Sequence, residues 1–235
     1  IAEGGLRAGF SSSVIRLDPE TEGLDKLLAK LGIPYLLEIR IHSGFTGSSV
    51  FEVEVPPIGF EDPDGTFSLS GFSAEGSYDL AARHLVTDGH IDSIEIGSEF
   101  TTITAENLTL NGDFQMLSSY VGEGSSELVL ERMTVLNATP TGPPFIEASN
   151  VGFTARTSLN AAGDRLDMDT SYYVDSVTGD DLSFTDGRFE LAMRNLDMTA
   201  VEAYNRITQG SVFQPGGLAM LHPEFQEALY QLLAA

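Results

Sequence analysis

The chain has 235 residues, with 35 Asp and Glu against 12 Lys and Arg, a formal net charge of -23 and a sequence pI near 4.2. This balance argues against nucleic acid as a partner, because nucleic-acid binding requires clustered cations that neutralise phosphates. The absence of cysteine excludes disulfides, thiolate nucleophiles and Cys-based zinc sites. A chain of this length can bury about 70% of its unfolded surface as a single domain.

The first predicted element is a short helix over residues 22–31, where four leucines fall on one stripe. Beyond it, the pattern predicts strands separated by turns. Several dipeptides supply the positive φ that tight hairpins need. They are Asp64-Gly65, Asp88-Gly89, Asn111-Gly112, Gly163-Asp164, Gly179-Asp180 and Asp186-Gly187. A succession of antiparallel strands is therefore expected.

Between the turns, apolar and polar residues alternate, as they do in a strand with one buried face. The stretch 165–174 shows this most clearly. Leu166, Met168, Thr170, Tyr172 and Val174 fall on one face, and Arg165, Asp167, Asp169, Ser171 and Tyr173 fall on the other. The alternation predicts a sheet with a single apolar face.

A second regularity is the spacing apolar-x-apolar-x-x-apolar-x-apolar, which occurs at 53–60, 67–74, 103–110, 128–135, 146–153 and 191–198. A change of parity would turn half of each strand over, unless an extra residue in a β-bulge restores the facing. The residue before the third apolar position is Pro57, Gly71, Asn107, Arg132, Asn150 or Asn195. Asn and Gly tolerate unusual backbone angles, and Pro is allowed at a bulge. The repetition predicts a long, strongly curved antiparallel sheet.

Two further helices are predicted near the end of the chain. Thr199 and Glu202 match a capping box ahead of a helix over 200–209. Pro223 in a first turn predicts a helix that runs to the chain end. About three short helices cannot cover roughly ten strands. We therefore expect a mainly β (α+β) fold whose sheet folds over as a sandwich or flattened barrel, or leaves an open groove.

No motif points to catalytic, cofactor-binding or metal-binding residues. His42, His84, His90 and His222 are isolated and lack zinc-ligand spacing. The chain contains no G-x-S-x-G sequence, no EF-hand loop and no phosphate-binding P-loop. The protein is therefore predicted not to be an enzyme and to need no cofactor.

The order of features from about Phe10 to the chain end resembles the YdgA-like family of bacterial envelope proteins, which has no established biochemical activity. The resemblance is carried by residues 179–184 leading into 189–198, by the helix at 199–204 and by the helix at 223–233. It implies a periplasmic protein held at the inner membrane by an N-terminal segment outside this chain. We therefore expect residues 1–235 to be a single elongated β-rich domain, a fragment of a longer membrane-anchored protein.

Two classes of function follow from this sequence. The apolar face binds a lipid or another amphipathic ligand, or the sheet is a protein-protein interaction or scaffold module of the periplasm. A hydrolase that uses carboxylates is a third alternative. For the first class, the predicted lining residues are Ile103, Leu108, Leu130, Met133, Val151, Phe153, Leu191 and Leu196. The sequence does not predict an oligomeric state.

Overall fold

The structure, a computed structural model, describes residues 2–7, 10–16, 24–63, 65–137, 144–180 and 182–212. Strands make up most of these ranges, and two helices accompany them. The strands are β1 Ala2–Arg7, β2 Phe10–Arg16, β3 Glu38–Gly44, β4 Ser48–Val55, β5 Ile58–Asp62, β6 Gly65–Leu69, β7 Phe72–Asp79, β8 His84–Gly97, β9 Thr101–Met116, β10 Gly122–Asn137, β11 Pro144–Leu159, β12 Arg165–Gly179 and β13 Ser183–Asp197. The helices are α1 Leu24–Leu31 and α2 Met198–Val212.

All 13 strands belong to one sheet in which every pair is antiparallel. β4 and β5 act as one long strand interrupted at Pro56 and Pro57, and β6 and β7 as another interrupted at Ser70 and Gly71. β4 pairs with β7, β5 pairs with β6, and β8 pairs with both β7 and β6. The topology is therefore an up-and-down meander, which agrees with the predicted succession of antiparallel strands.

The sheet is open, so the predicted sandwich or flattened barrel is wrong. β1 and β13 lie at opposite ends of the strand order and do not pair with each other. Each connection returns the chain to the adjacent position of the same sheet, so no described strand forms a second layer. The accessible surface is 15156 Å², whereas a compact monomer of this mass exposes about 10,300 Å². The described part of the chain thus lacks the two-layered core of a closed β-protein.

Two helices, rather than about three, lie in the described part of the chain. α1 agrees with the helix predicted over 22–31. α2 begins earlier than predicted because Asp197 caps it: the Oδ1 atom accepts from the backbone N–H groups of Thr199 and Ala200 at 3.0 and 3.1 Å. The helix predicted from Pro223 lies outside the described residues.

The predicted turns divide into two groups. Gly163-Asp164 and Gly179-Asp180 lie at the ends of strands, and Gly163 has a φ of 75°. Asp88-Gly89, Asn111-Gly112 and Asp186-Gly187 instead lie inside β8, β9 and β13, so those turn predictions are wrong. The turn predicted at Asp64-Gly65 includes a residue outside the described ranges. At Gly89, a Cβ atom would lie 3.1 Å from the Phe72 ring. The absence of a side chain at this glycine therefore makes room for an aromatic ring, and the glycine does not form a turn.

A row of irregular residues crosses eight strand segments of the sheet, and we call it the interruption row. It contains Pro56, Gly71, Asp92, Asn107, Glu131, Asn150, Asp175 and Asp186, which the registers on both sides place opposite one another. Positive φ occurs on alternate strands, at Gly71, Asn107, Asn150 and Asp186.

The interruption row explains why the apolar spacing changes parity in the middle of each strand. In a regular strand, each successive side chain points to the opposite face. One residue with left-handed backbone angles shifts this alternation by one position, so the apolar residues before and after the row point to the same face. Neighbouring strands are irregular at opposite positions. The pairing register of the strands from β8 to β12 is therefore the same on both sides of the interruption row. At Arg132, the irregular residue is the neighbouring Glu131. Asn195 differs because it lies at a separate register shift between β12 and β13.

Candidate ligand-binding face

The apolar residues of the central strands are direct cross-strand neighbours on one side of the sheet. Leu108 of β9 pairs with Leu130 of β10, which pairs in turn with Val151 of β11. Residues that are directly opposite in an antiparallel pair share a face, with Cβ atoms about 4.5–5.5 Å apart. Three of the predicted lining residues therefore form one continuous apolar row, directly beside the interruption row.

The other five predicted lining residues lie on the same face but are spread more widely. Ile103 pairs with Val135. Met133 pairs with Ala105 and Ala148, and Phe153 pairs with Leu128 and Tyr172. Leu191 and Leu196 lie on β13, where they pair with Thr170 and Leu166. The structure thus places all eight residues on one apolar face, as an extended surface rather than a compact pocket.

The apolar face carries no charge over a large part of the sheet. In β7–β13, every residue that the register places on this face is apolar, glycine, Ser, Thr, Asn or Tyr. A chain with 35 acidic residues therefore keeps all the carboxylates of these strands away from this side. Such complete segregation is typical of a surface that is covered by something apolar.

Aromatic rings extend the apolar face toward β13, and of these the sequence analysis selected only Phe153 as a lining residue. The rings of Phe153 and Tyr172 have centroids 5.0 Å apart, and those of Tyr172 and Phe189 are 6.1 Å apart. Phe60 and Phe67 stack at 5.4 Å on the other side of the interruption row. A cross-strand pairing map is needed to find these clusters, because the residues are far apart in the chain.

Most of this face is open to solvent in the part of the chain that the structure describes. Phe189 is 61% exposed, Tyr172 49%, Leu191 46% and Ile103 38%. The strongest helix contacts with the sheet are those of α1 with β5 and of α2 with β13. Asn205 of α2 donates to the carbonyl of Tyr120 at 2.9 Å. α2 therefore crosses the end of the sheet and leaves the apolar surface beyond it uncovered.

A cavity of about 860 Å³ lies at the β2–β4 corner, and the row of Ser12, His42, Val50 and Ser77 in its lining belongs to the polar side of the sheet. Ser43 and Ser49 share the face of Ile41 and Phe51, and their hydroxyl oxygens are 2.7 Å apart. The cavity is lined by Ser11, Ser12, His42, Ser43, Gly44, Thr46, Ser48, Ser49, Val50 and Ser77. The sequence analysis missed it, because serines are common in the chain and only the register brings these together.

The opposite side of the sheet is polar and contains a buried carboxylate. Glu38 is 1% exposed and forms ion pairs with Arg16 and Arg40. Arg40 also contacts Glu52 at 3.5 Å and Glu54 at 3.4 Å. Burial alone would raise the pKa of Glu38, but the hydrogen bonds and positive charges of Arg16 and Arg40 outweigh it and lower that pKa.

A tyrosine packs across a glycine on the same polar side. Gly152 pairs with Tyr173, and a Cβ atom at Gly152 would lie 2.0 Å from the Tyr173 ring. The Tyr173 hydroxyl reaches over β11 and donates to Glu127 Oε1 of β10 at 3.4 Å. Burial and the nearby Glu127 charge raise the pKa of Tyr173. This side chain therefore links two strands that do not pair directly.

The described histidines lie in separate places on the polar side. His84 contacts Asp113 at 2.6 Å, and His90 contacts Asp92 at 2.7 Å. His42 lines the hydroxyl-rich cavity, and His222 lies outside the described residues. Within the described ranges, no group of three or more His, Asp or Glu residues could hold a metal ion. Neither described helix is long and apolar enough to cross a membrane.

Comparison with known proteins gives a family but no structural precedent. The chain is 23% identical to Protein YdgA of Escherichia coli (strain K12) over 197 residues, which is 80% of this chain and 38% of that protein. The chain therefore spans less than half the length of this relative. No solved structure matches the chain. Residues 5–235 match the family described as bacterial protein of unknown function (DUF945), and the chain belongs to that family.

Proposed function

We propose that this protein is a non-enzymatic component of the bacterial cell envelope that binds a lipid or another amphipathic ligand along its apolar face. The observation that supports this most is the uncharged surface of β7–β13, on which all eight predicted lining residues lie. An acyl chain that lies on this surface gains about 0.8 kcal/mol for each methylene that it buries.

The size of the apolar face supports an extended ligand. β8–β13 each contain 14–16 residues, which corresponds to a length of about 50 Å and, for six strands, a width of about 29 Å. The resulting area of about 1,400 Å² exceeds the 300–600 Å² of the largest apolar patch on a typical monomer. Exposure of an apolar surface of this size to water is unfavourable. A hydrocarbon chain can cover it without any hydrogen-bonding partner on the surface.

The pair of serines on the apolar face, Ser43 and Ser49, supports an amphipathic ligand rather than a purely apolar one. Ser43 and Ser49 offer neutral donors and acceptors next to the apolar side chains of Ile41 and Phe51. Neutral hydroxyl groups can hydrogen-bond a head group without an opposing charge. The net charge of -23 disfavours an anionic head group. A zwitterionic or uncharged lipid therefore fits the arrangement best.

We further propose that the interruption row bends the sheet, because irregular residues in a strand increase its local twist and bend. A bent sheet would give the apolar face the curved form of a groove. We also propose a periplasmic location with an anchor in the inner membrane, on the basis of the family resemblance. Fractionation of cells that express the full-length protein tests the location directly.

Ligand binding is tested with a matched pair of substitutions on β9. Ile103→Asp places a charge on the apolar face, and Ile103 is exposed enough for the fold to tolerate it. Thr102→Asp places the same charge on the opposite side of the same strand. With a fluorescent phosphatidylethanolamine as the probe, we expect Ile103→Asp to weaken binding at least tenfold, as a carboxylate that must be desolvated would do, and Thr102→Asp to leave it unchanged.

Equal binding by the two variants would contradict the proposed face. Native mass spectrometry of protein purified from membranes gives an independent readout. A wild-type protein that carries no lipid from the membrane and does not bind the probe would rule out lipid as the ligand. The alternative, an interaction or scaffold module, is supported by the long edge strand β13, which has no second neighbour in the described ranges.

A further inference from the structure

The outer edge of β13 is a regular backbone edge of limited length. β13 pairs with β12 on one side only, as far as the described residues extend. Its regular part lies between Asp186, which has a φ of 57°, and the register shift beside Asn195. Over residues 187–192, the backbone N–H and C=O groups that point away from β12 have the spacing that another strand requires.

The helix that follows β13 leaves this edge free. α2 begins at Met198, and by Asn205 it has reached Tyr120 in the β9–β10 connection. It therefore runs inward across the end of the sheet, away from the outer edge of β13. The apolar side chains of the edge strand remain exposed, with Phe189 at 61% and Leu191 at 46%.

We propose that two copies of this chain associate through antiparallel pairing of their β13 edges. The two-fold axis lies midway between the two copies of Phe189. In this register, Phe189 lies opposite Phe189 of the second copy, on the apolar face. Arg188 lies opposite Glu190 of the second copy, and the symmetry provides this pair twice. Arg188 and Glu190 already lie side by side on the polar face, 2.7 Å apart.

Charge selects this register over the adjacent ones. A two-fold axis at Glu190 would place two glutamates directly opposite each other, and an axis at Arg188 would oppose two arginines. An axis at Leu191 would bring Arg188 opposite Arg194. Like charges that are directly opposite destabilise an antiparallel pair, whereas opposite charges stabilise it. Among the axes at Arg188, Phe189, Glu190 and Leu191, the one at Phe189 is the one that places Arg188 opposite Glu190.

The association would join two sheets into one, with both apolar faces on the same side, because a two-fold axis perpendicular to a sheet preserves its faces. The interface extends the sheet at its edge and leaves the apolar face free. The inference therefore stands independently of lipid binding. The net charge of -23 on each copy opposes association at low ionic strength, so measurements belong at about 0.15 M salt.

Charge-swap variants of the full chain test the register. In a homodimer of the Arg188→Glu variant, position 188 of each copy would place a glutamate opposite Glu190 of the other copy. In a homodimer of the Glu190→Arg variant, position 190 of each copy would place an arginine opposite Arg188 of the other copy. Each variant is expected to raise the dimer dissociation constant about tenfold in analytical ultracentrifugation, from the loss of two attractive pairs and the gain of two repulsive ones. An equimolar mixture of the two variants restores both attractive pairs and should form a heterodimer with near wild-type affinity.

A cysteine substitution locates the axis. The chain contains no cysteine, so Phe189→Cys introduces a single thiol that would face its own copy across the axis. We expect it to be captured as a covalent dimer by a short bis-maleimide. Phe45→Cys, at a site that is 85% exposed in the β3–β4 turn, is the matched control and should give no covalent dimer under the same conditions.

Three results would overturn the inference. They are a wild-type chain that stays monomeric up to its solubility limit, a dimer whose affinity neither charge swap changes, and a variant mixture that gives no heterodimer. Circular dichroism of each variant confirms that a loss of association does not reflect unfolding. Recovery of the heterodimer cannot arise from unfolded chains, so that outcome supports the pairing even where one variant is destabilised.

Discussion

Asn107 and Glu131 lie opposite each other where the backbone ladder between β9 and β10 omits one pair, and Asn107 Nδ2 donates to Glu131 Oε2 at 2.6 Å. The same arrangement recurs two strands away, where Asn150 Nδ2 donates to Asp175 Oδ2 at 2.7 Å. In both pairs, the asparagine has the positive φ and the acidic residue does not. Side-chain hydrogen bonds therefore connect the strands where the regular backbone pairing is interrupted.

The backbone angle at Asn107 gives the first prediction. Its φ is 55°, and a β-branched residue is strongly disfavoured there. Asn107→Val should lower the free energy of unfolding by about 1–2 kcal/mol, as measured by urea denaturation. Asn107→Gly restores the backbone freedom and should lose less. Thr109→Val, at an ordinary position of the same strand, is the control, and an equal loss from both valine variants would contradict the proposed strain.

The contact between Gly152 and Tyr173 gives a second prediction. Gly152→Ala puts a methyl group where the Tyr173 ring lies, and overpacking of this kind costs about 1–3 kcal/mol of stability. Tyr173→Ala removes the ring, so Gly152→Ala should cost much less in that background. A double-mutant cycle by thermal or urea unfolding measures this coupling. Additive effects would show that the alanine acts through something other than the tyrosine ring.

The buried Glu38 gives a prediction on pH. Because its folded pKa is lowered, the carboxylate contributes stability above its unfolded pKa, and that contribution is lost as the pH falls through the folded pKa. The wild-type protein should therefore lose stability on acidification more steeply than Glu38→Gln, which has no charge to titrate. Urea unfolding between neutral pH and about pH 3 makes the comparison. Equal slopes for the wild type and Glu38→Gln would contradict the stabilising role of this carboxylate.

The cap of α2 gives a fourth prediction, which separates the observed helix start from the predicted one. Asp197→Ala removes the acceptor for two backbone N–H groups and should destabilise the protein by about 1 kcal/mol. Thr199→Ala should have little effect, since Thr199 lies within the helix rather than at its cap. The reverse order of the two effects in thermal unfolding would support the capping box in place of the Asp197 cap.

The sequence alone predicted the local features well. Alternation along 165–174 identified the two faces of β12, and the parity change identified Asn107 and Asn150 as irregular positions with unusual backbone angles. These properties depend on neighbours in the chain, so a sequence pattern can report them. The residue Asp92 was not identified. Its φ is not positive, and it belongs to the interruption row only because Asn107 lies opposite it.

Features that depend on distant strands could not be predicted in the same way. Whether the sheet closes depends on whether β1 meets β13, and no local pattern encodes that contact. The turn predicted at Asp88-Gly89 failed because the partner that fills the space above Gly89 is Phe72, on a different strand. Likewise, the register places the eight residues that the sequence analysis selected on one face, but the width of that face could be read only from the full register.

The meander has a consequence for how the protein folds and for how the number of strands in the sheet can vary. Every long strand pairs only with its neighbours in the chain, so stability accumulates from one hairpin to the next, as in repeat proteins. The outermost hairpins can therefore unzip without disturbing the middle, and amide hydrogen exchange should slow progressively from either margin toward β9–β11. For the same reason, a hairpin can be gained or lost at a margin without repacking an interior, and this gives the fold a simple route to variants of different breadth.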